Sequence, residues 1–281
     1  MSRRRPPRQR ATVGAHSHFS SGVVKSAART AEILEFFDDI QREATVVEVC
    51  DALNYPQSST SVLLRSLAAI GYLEYDRYAR TYVPTSRVAM LGQWINRPLF
   101  AEGRLNAAME DISQATGDTV LVAMRIGMQV QYIKVIQARN PARLHLIVGT
   151  CRPLAASGAG YAILSMYSDE EIKKIIDRVN FESRSTSQPV KFRPLLERLA
   201  DVRLKGYSFT TDLVSRGAGI LAVPIRVGIG QPPIALGVAG ISEVMIAREA
   251  FLVDTVRDAM AAHLAVRIAT GRGNSAQRAS M

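Results

Sequence analysis

After Pro56 the chain runs Gln57-Ser58-Ser59-Thr60-Ser61 and then, four residues on, reaches Arg65. On a helix that begins there, Ser58, Ser61 and Arg65 share a face by i, i+3, i+7 spacing. Short hydroxyls at a helix N-terminus donate to phosphate oxygens and base edges, where unpaired backbone N–H groups already attract anions. Gln57 suits bidentate pairing with adenine, and Arg65 suits guanine or a phosphate. Arg77 and Arg80, in a later polar turn, are placed for the DNA backbone or the minor groove. A serine-rich helix cap with solvated polar residues is the competing reading. The run of hydroxyls Ser58–Ser61 at the entry of a recognition helix favours DNA.

A second candidate is Ser157-Gly158-Ala159-Gly160, which opens a helix where small residues let a carboxylate approach backbone N–H groups. The same glycines equally suit close helix–sheet packing, and spacing does not separate the two readings. Neither this run nor Gly217-Ala218-Gly219 completes a dinucleotide fingerprint, and there is no G-x-S-x-G elbow, Walker loop or H-E-x-x-H. His16, His18, His145 and His263 are scattered. His16 and His18 lack a third ligand nearby, and His145, alternating with Leu144 and Leu146, is predicted on a strand surface. Cys50 falls on an apolar helix stripe and reads as core packing. Cys151 alone keeps a nucleophile open. The expectation is a protein that is not an enzyme and holds no cofactor or metal.

The elements that would position these residues follow from periodicity. Ala27, Ala31, Leu34 and Phe37 predict a first helix over 24–40. Thr45 and Glu48 form a capping box for a second, with Val46, Val49, Cys50 and Leu53 as its stripe. Asn54-Tyr55-Pro56 breaks it. A third helix over 57–70 turns Leu63, Leu67 and Ile70 inward and stops at Gly71. Strand-like runs 72–75 and 81–84 complete the order of a winged helix-turn-helix. A connecting helix over 86–97 leads to a larger unit. It holds a helix over 99–116, a hairpin of 119–126 with 130–137, three helical segments (from Ser157, from the Ser168/Glu171 capping box, and over 192–205), strands near 207–211, 220–227 and 234–241, and a long final helix ending near Gly271. Helices interleaved with hairpins predict an α+β sensor-type domain over a doubly wound parallel sheet. The expected domains are a disordered basic arm (1–22), the winged helix-turn-helix (23–85), a linker helix (86–97), an effector domain (98–271) and a flexible tail (272–281).

Composition bounds these readings. The chain has 281 residues, 47% of them hydrophobic and 21% charged, with a formal charge of +10. That length and apolar content suffice for one large or two ordinary folded domains. The surplus of positive charge points to a polyanion, but counting by segment shows that it is not spread over the DNA-binding unit. Residues 1–22 carry Arg3, Arg4, Arg5, Arg8 and Arg10 without an acid, a net of +5. Residues 23–96 carry seven basic and nine acidic groups, a net of −2, which leaves +7 for the rest. The longest apolar runs, such as 232–241, fall short of the roughly 20 residues that span a bilayer. No apolar segment follows the leading arginines, and two distant cysteines imply a reduced compartment, so a cytoplasmic protein without membrane contact is expected.

Read in order, several stretches resemble the IclR family of bacterial transcriptional regulators. They are Val24-Lys25-Ser26-Ala27-Ala28-Arg29, Tyr55-Pro56-Gln57-Ser58-Ser59-Thr60 and Gly71-Tyr72-Leu73-Glu74, then Arg152 through Leu164, Lys205-Gly206-Tyr207, Ala222-Val223-Pro224-Ile225 and Gly237-Val238-Ala239-Gly240. The resemblance covers nearly all of 23–270. It implies an N-terminal winged helix-turn-helix on a palindromic operator, a C-terminal GAF-like domain that binds a small organic effector, and a homodimer or dimer of dimers. It also implies an effector pocket at Ser157, Gly158 and Ala159, walled by Leu144, Leu146, Thr210, Ile220, Gly237 and Ala239. Family members commonly carry Arg where this chain has Val62, which shifts operator reading toward Arg65, Gln57 and the serines. Members that sense small polar acids place polar side chains where this chain has Ile220, Gly237 and Ala239. A bulkier, more apolar effector such as an aromatic acid is therefore expected. The runner-up is a GAF-like sensor or enzyme domain whose helix-turn-helix makes protein contacts only.

Overall fold

The structure, a computed structural model, describes residues 24–92, 99, 103–139, 144–182, 189–228 and 230–264. The basic arm, the tail, His16 and His18, and the expected linker beyond Gly92 lie outside the described residues. The chain forms two compact units, 1–94 and 95–281.

The first unit contains α1 (Lys25–Ile40), β1 (Ala44–Thr45), α2 (Val46–Leu53), α3 (Gln57–Ala69), β2 (Leu73–Asp76), β3 (Thr81–Pro84) and α4 (Ser86–Leu91). The capping box forms as expected. Thr45 Oγ1 accepts the Glu48 N–H at 3.3 Å, and the Thr45 N–H donates to Glu48 Oε2 at 2.9 Å. Asn54 then ends α2 in a left-handed conformation, φ 52°. The strands pair antiparallel in the order β1-β3-β2. Ile33, Phe36 and Phe37 of α1 join Val49, Leu64, Leu67, Leu73 and Tyr82 in one core.

The inward faces of two helices differ from the predicted ones. On α1 the buried residues are Ala28, Ile33, Phe36 and Phe37, while Ala27 and Ala31 are exposed. Two phenylalanines and an isoleucine bury far more apolar area than alanines do, and they set the helix rotation. On α3 the buried face is Thr60, Leu64 and Leu67, by i, i+4, i+7 spacing, with Leu63 only half-buried. Ile70 lies past the end of α3 and is 55% exposed. Arg87 closes this corner: its guanidinium donates to the Ile70 carbonyl at 2.7 Å and lies over the Tyr72 ring.

The second unit contains α5 (Arg104–Thr116), β4 (Thr119–Ile126), β5 (Gln129–Ile136), β6 (Cys151–Pro153), a 3-10 turn (Leu154–Ala156), α6 (Gly158–Leu164), α7 (Asp169–Glu182), α8 (Phe192–Lys205), β7 (Ser208–Thr211), β8 (Ala218–Ile225), β9 (Ile234–Ile241), α9 (Ser242–Ala247) and α10 (Glu249–Leu264). Its six strands form one antiparallel sheet, β6-β5-β4-β9-β8-β7. Strand alternation splits the apolar residues between two faces. Val120 and Val122 pack with Met109, Ile112, Leu252 and Met260 of α5 and α10. Leu121 and Ala123 face the opposite core, with Ile163, Leu164, Ile172, Ile176 and Leu199 of α6, α7 and α8. This is an α+β domain of GAF-like type.

Two local expectations are corrected. The final helix is two helices, hinged at Arg248, whose guanidinium is drawn to Asp118 Oδ2 at 3.0 Å and the Thr116 carbonyl at 3.1 Å. His145 is exposed, but it sits in an irregular segment rather than a strand. There the Leu146 N–H is taken by Gln137 Oε1, and the Leu144 carbonyl accepts from Thr119 Oγ1, so side chains do the pairing that a neighbouring strand would have done. Among the described residues, no helix is long and apolar enough to cross a membrane.

Candidate functional site

The first candidate lies at the start of α3. Pro56 occupies the N-cap position and supplies no side-chain cap, so the leading N–H groups of the helix keep their capacity for an outside acceptor. Gln57 and Ser58 are exposed beside them, and Arg65 is exposed two turns further on. Arg65 Nε donates to the Ser61 carbonyl at 3.3 Å, which holds the start of the side chain along the exposed helix surface. Ser61 is half-buried.

Thr60 does not belong to this face. It is fully buried, and its hydroxyl donates to the Pro56 carbonyl at 3.1 Å. The i, i+4, i+7 register that buries Leu64 and Leu67 carries Thr60 inward with them, so its assignment as a DNA contact is corrected. Ser59 is half-committed. Its Oγ donates to the same carbonyl at 3.0 Å and accepts from Arg29 Nη1 at 3.3 Å.

Sequence reasoning missed Arg29. It comes from α1, stacks over the Tyr55 ring at 4.6 Å, and braces the start of α3. With Lys25, Ser26, Ser58, Ser59, Val62 and Leu63 it rims an open groove of about 520 Å³. The Lys25/Arg29 spacing of i, i+4 was the available signal. At the hairpin tip Asp76 Oδ1 accepts the Tyr78 and Ala79 N–H groups at 2.7 and 3.0 Å. This turn holds Arg77 and Arg80 exposed on either side of a fully exposed Tyr78.

The second candidate is a partly open cavity in the larger unit, of about 60 Å³. Leu144, Leu146, Ser157, Gly158, Ala159, Thr210, Ile220 and Ala239 all line it. Gly237 does not. It sits behind Ile220, where a Cβ would stand 3.1 Å from Ile220 Cδ1. The glycines of the 158–160 run are accounted for by packing. A Cβ on Gly158 would lie 2.5 Å from Ile220 Cγ2 and 2.6 Å from Thr210 Oγ1, and one on Gly160 would lie 1.9 Å from the Leu154 carbonyl oxygen. Ser157 caps the short α6 by accepting the Gly160 N–H at 3.2 Å and donates to the Pro153 carbonyl at 2.7 Å.

Tyr132, Arg152, the loop residues Leu213, Val214 and Ser215, and Ala218 and Gly219 at the start of β8 complete the wall. Sequence reasoning did not assign these. Arg152 stands on the edge strand β6 with its guanidinium 5.9 Å from the centre of the Tyr132 ring. Burial pushes the Tyr132 phenol up, and the neighbouring Arg152 charge draws it partly back. Cys151 is exposed beside this cavity, its thiol directed at the Gly149 carbonyl at 3.5 Å. Among the described residues no cluster of three metal-ligating side chains occurs.

Comparison with known proteins matches both units. The family description "Bacterial transcriptional regulator IclR C-terminal" fits residues 103–264, and "IclR helix-turn-helix domain" fits residues 26–77. The chain is 23% identical to the transcriptional repressor IclR of Escherichia coli, over 79% of this chain and 81% of that protein. It is 24% identical to the repressor AllR of the same organism, over 89% and 94%. Among solved structures, an IclR effector domain from Acinetobacter matches with a TM-score of 0.54 at 22% identity, covering 60% of this chain and 99% of that one. The Thermotoga maritima IclR structure matches with a TM-score of 0.52 at 20% identity, over 86% and 99%. A DNA-binding helix-turn-helix joined to an effector domain, each matched in its own right, makes this chain a member of the IclR family of bacterial transcriptional regulators.

Proposed function

We propose that this regulator reads a palindromic operator through Gln57, Ser58, Ser61 and Arg65. Arg77 and Arg80 would grip the flanking backbone, and Lys25, Ser59 and Arg29 would seat phosphate at the start of α3. The observation that carries this reading is the uncapped, exposed N-terminus of α3 with two cations alongside it. Backbone N–H groups and cations position the helix on the duplex, while exposed Gln57 and Arg65 supply the sequence preference. A homodimer or dimer of dimers, acting in the cytoplasm, would match a two-fold operator. A gel-shift assay with the DNA upstream of its own gene tests this. Specific retention is expected, and replacing Arg65 by Ala should reduce it. A helix-turn-helix devoted to protein contacts would give no sequence-specific shift.

The cavity of the second unit would take the effector, a small organic acid with an apolar body such as an aromatic acid. Leu144, Leu146, Leu213, Val214, Ile220 and Ala239 supply apolar wall, which small polar acids would leave unsolvated and unfilled. Ligand that binds two conformations unequally would shift their populations and so change the spacing of paired recognition helices. Calorimetric titration against aromatic and short aliphatic acids tests the assignment. A clear preference for glyoxylate-like acids would overturn it.

A further inference from the structure

We propose that Arg152 is the residue that makes this cavity selective for a carboxylate, receiving it in a fork at the Tyr132 end while the apolar walls take the ligand's body. This rests on the effector reading of the cavity and names the group responsible for its charge preference.

Among the described residues, Arg152 is the one ionic side chain in the cavity wall, and no acid lines it. Arg152 makes no ion pair among those residues, whereas Arg42, Arg178, Arg203, Arg248 and Arg257 all face a carboxylate. Its guanidinium lies 5.9 Å from the centre of the Tyr132 ring, and its charge favours the ionised phenol against the burial that disfavours it. Tyr132 is buried and is fixed through its own backbone, since its N–H donates to the Thr150 carbonyl at 3.0 Å and its carbonyl accepts the Gly149 N–H at 2.7 Å. The position of Arg152 is set likewise by the pairing of β6 with β5, Val130 opposite Arg152. A half-buried cation against apolar walls, without an acid to neutralise it, favours an anion entering the cavity.

The guanidinium narrows the anion further. Its planar donors match the two oxygens of a carboxylate, a match that a lysine does not reproduce. Of the lining hydroxyls, Ser157 already donates to one protein group and accepts from another. A monocarboxylate with a flat apolar body therefore fits the whole lining, with its charge at Arg152 and its body against Leu144, Leu146 and Ile220.

The test uses the full chain and matched pairs that differ only in charge: benzoate with benzamide, 4-hydroxybenzoate with its amide, and phenylacetate with its amide. Calorimetry should give the wild-type protein about a 10- to 100-fold preference for the acid of the best-binding pair, the range of a hydrogen bond to a charged group. Arg152→Met should bring acid and amide to near parity while amide binding persists, and Arg152→Lys should retain part of the preference. Unliganded melting of each variant shows that the fold is intact. Equal wild-type binding of acid and amide would overturn the role of Arg152 and leave the cavity reading standing, as would a preference that survives in Arg152→Met. Absence of binding for all three pairs would remove the aromatic-ligand reading of the cavity, and this inference with it.

Discussion

Replacing Gly160 by Ala sets two effects of opposite sign against each other. Gly160 lies inside α6, where alanine is intrinsically favoured over glycine by about 1 kcal/mol. The structure reverses that preference. A Cβ would stand 1.9 Å from the Leu154 carbonyl oxygen and 2.7 Å from its carbon, against 3.4 Å where ordinary contact begins, so α6 must retreat by about 1.5 Å. Every residue of α6 is buried, and Ile163 and Leu164 are fully so. Retreat also pulls the Gly160 N–H from Ser157 Oγ, now 3.2 Å away. Overpacking of this kind costs about 1–3 kcal/mol, sometimes more, and breaking the hydrogen bond about 1. After the propensity gain, a net loss of roughly 1–3 kcal/mol remains, which lowers the melting temperature of a unit this size by about 2–12 °C. Thermal unfolding followed by circular dichroism measures it, with Gly228→Ala as the control, because a Cβ there meets nothing within 4 Å. An unchanged or raised melting temperature in Gly160→Ala would refute the packing account of this glycine and return its role to ligand approach.

Other perturbations separate recognition from scaffolding. Thr60→Val should destabilise the first unit by about 1 kcal/mol by removing the bond to Pro56 yet leave operator preference intact, whereas Arg65→Ala should weaken specific binding by about 1–3 kcal/mol without lowering stability. Competitive gel shifts and melting curves together distinguish these, and a change of preference in Thr60→Val would contradict its burial. Arg248→Met should cost roughly 2–3 kcal/mol, because the Asp118 side chain is 1% exposed and loses its guanidinium while Arg248 is itself partly solvated; chemical denaturation reads the loss. Glu48 is held below the usual carboxylate range, chiefly by the Thr45 N–H and further by Arg42. A depressed folded value means that its stabilisation is complete above the ordinary range and is lost as pH falls through the folded value, so the stability gap between wild type and Glu48→Ala should close in acid. Deleting residues 1–22 removes five arginines and should lower the slope of log affinity against log salt by about 0.9 for each phosphate that the arm neutralises; an unchanged slope would make the arm a bystander.

The net charge of +10 points toward nucleic acid, yet residues 23–96 carry −2, so bulk attraction does not come from the folded DNA-binding unit. Position replaces quantity there: Arg65, Arg77 and Arg80 are exposed, while acids such as Glu48 are engaged in caps and pairs. Glu35 is the contrasting case. Partial desolvation, then the neighbouring Glu32, Asp39 and Asp38, push its carboxyl up.

Local rules were sufficient wherever one element carried its own signal. The Thr45/Glu48 and Ser168/Glu171 capping boxes, the break at Asn54-Tyr55-Pro56, the Gly127 turn and the α8 limits needed only hydrogen bonds and dihedral preferences between near neighbours in sequence, and all stand as read. Helix rotation was another matter. On α1 the expected Phe37 and Leu34 reach the core but Ala27 and Ala31 do not, and leucine spacing missed Thr60, because the buried face is chosen by the partner surface that fills best, here one shared by Phe36, Phe37, Leu64 and Tyr82. The glycines at 158 and 160 show the same limit. A pattern of small residues suits a ligand or a neighbour equally, and only the distances to Ile220, Thr210 and Leu154 separate them. Arg152 and Tyr132 lie on different strands, and no spacing rule joins them. They meet because β6 pairs with β5, a long-range pairing that exists only once the sheet has closed.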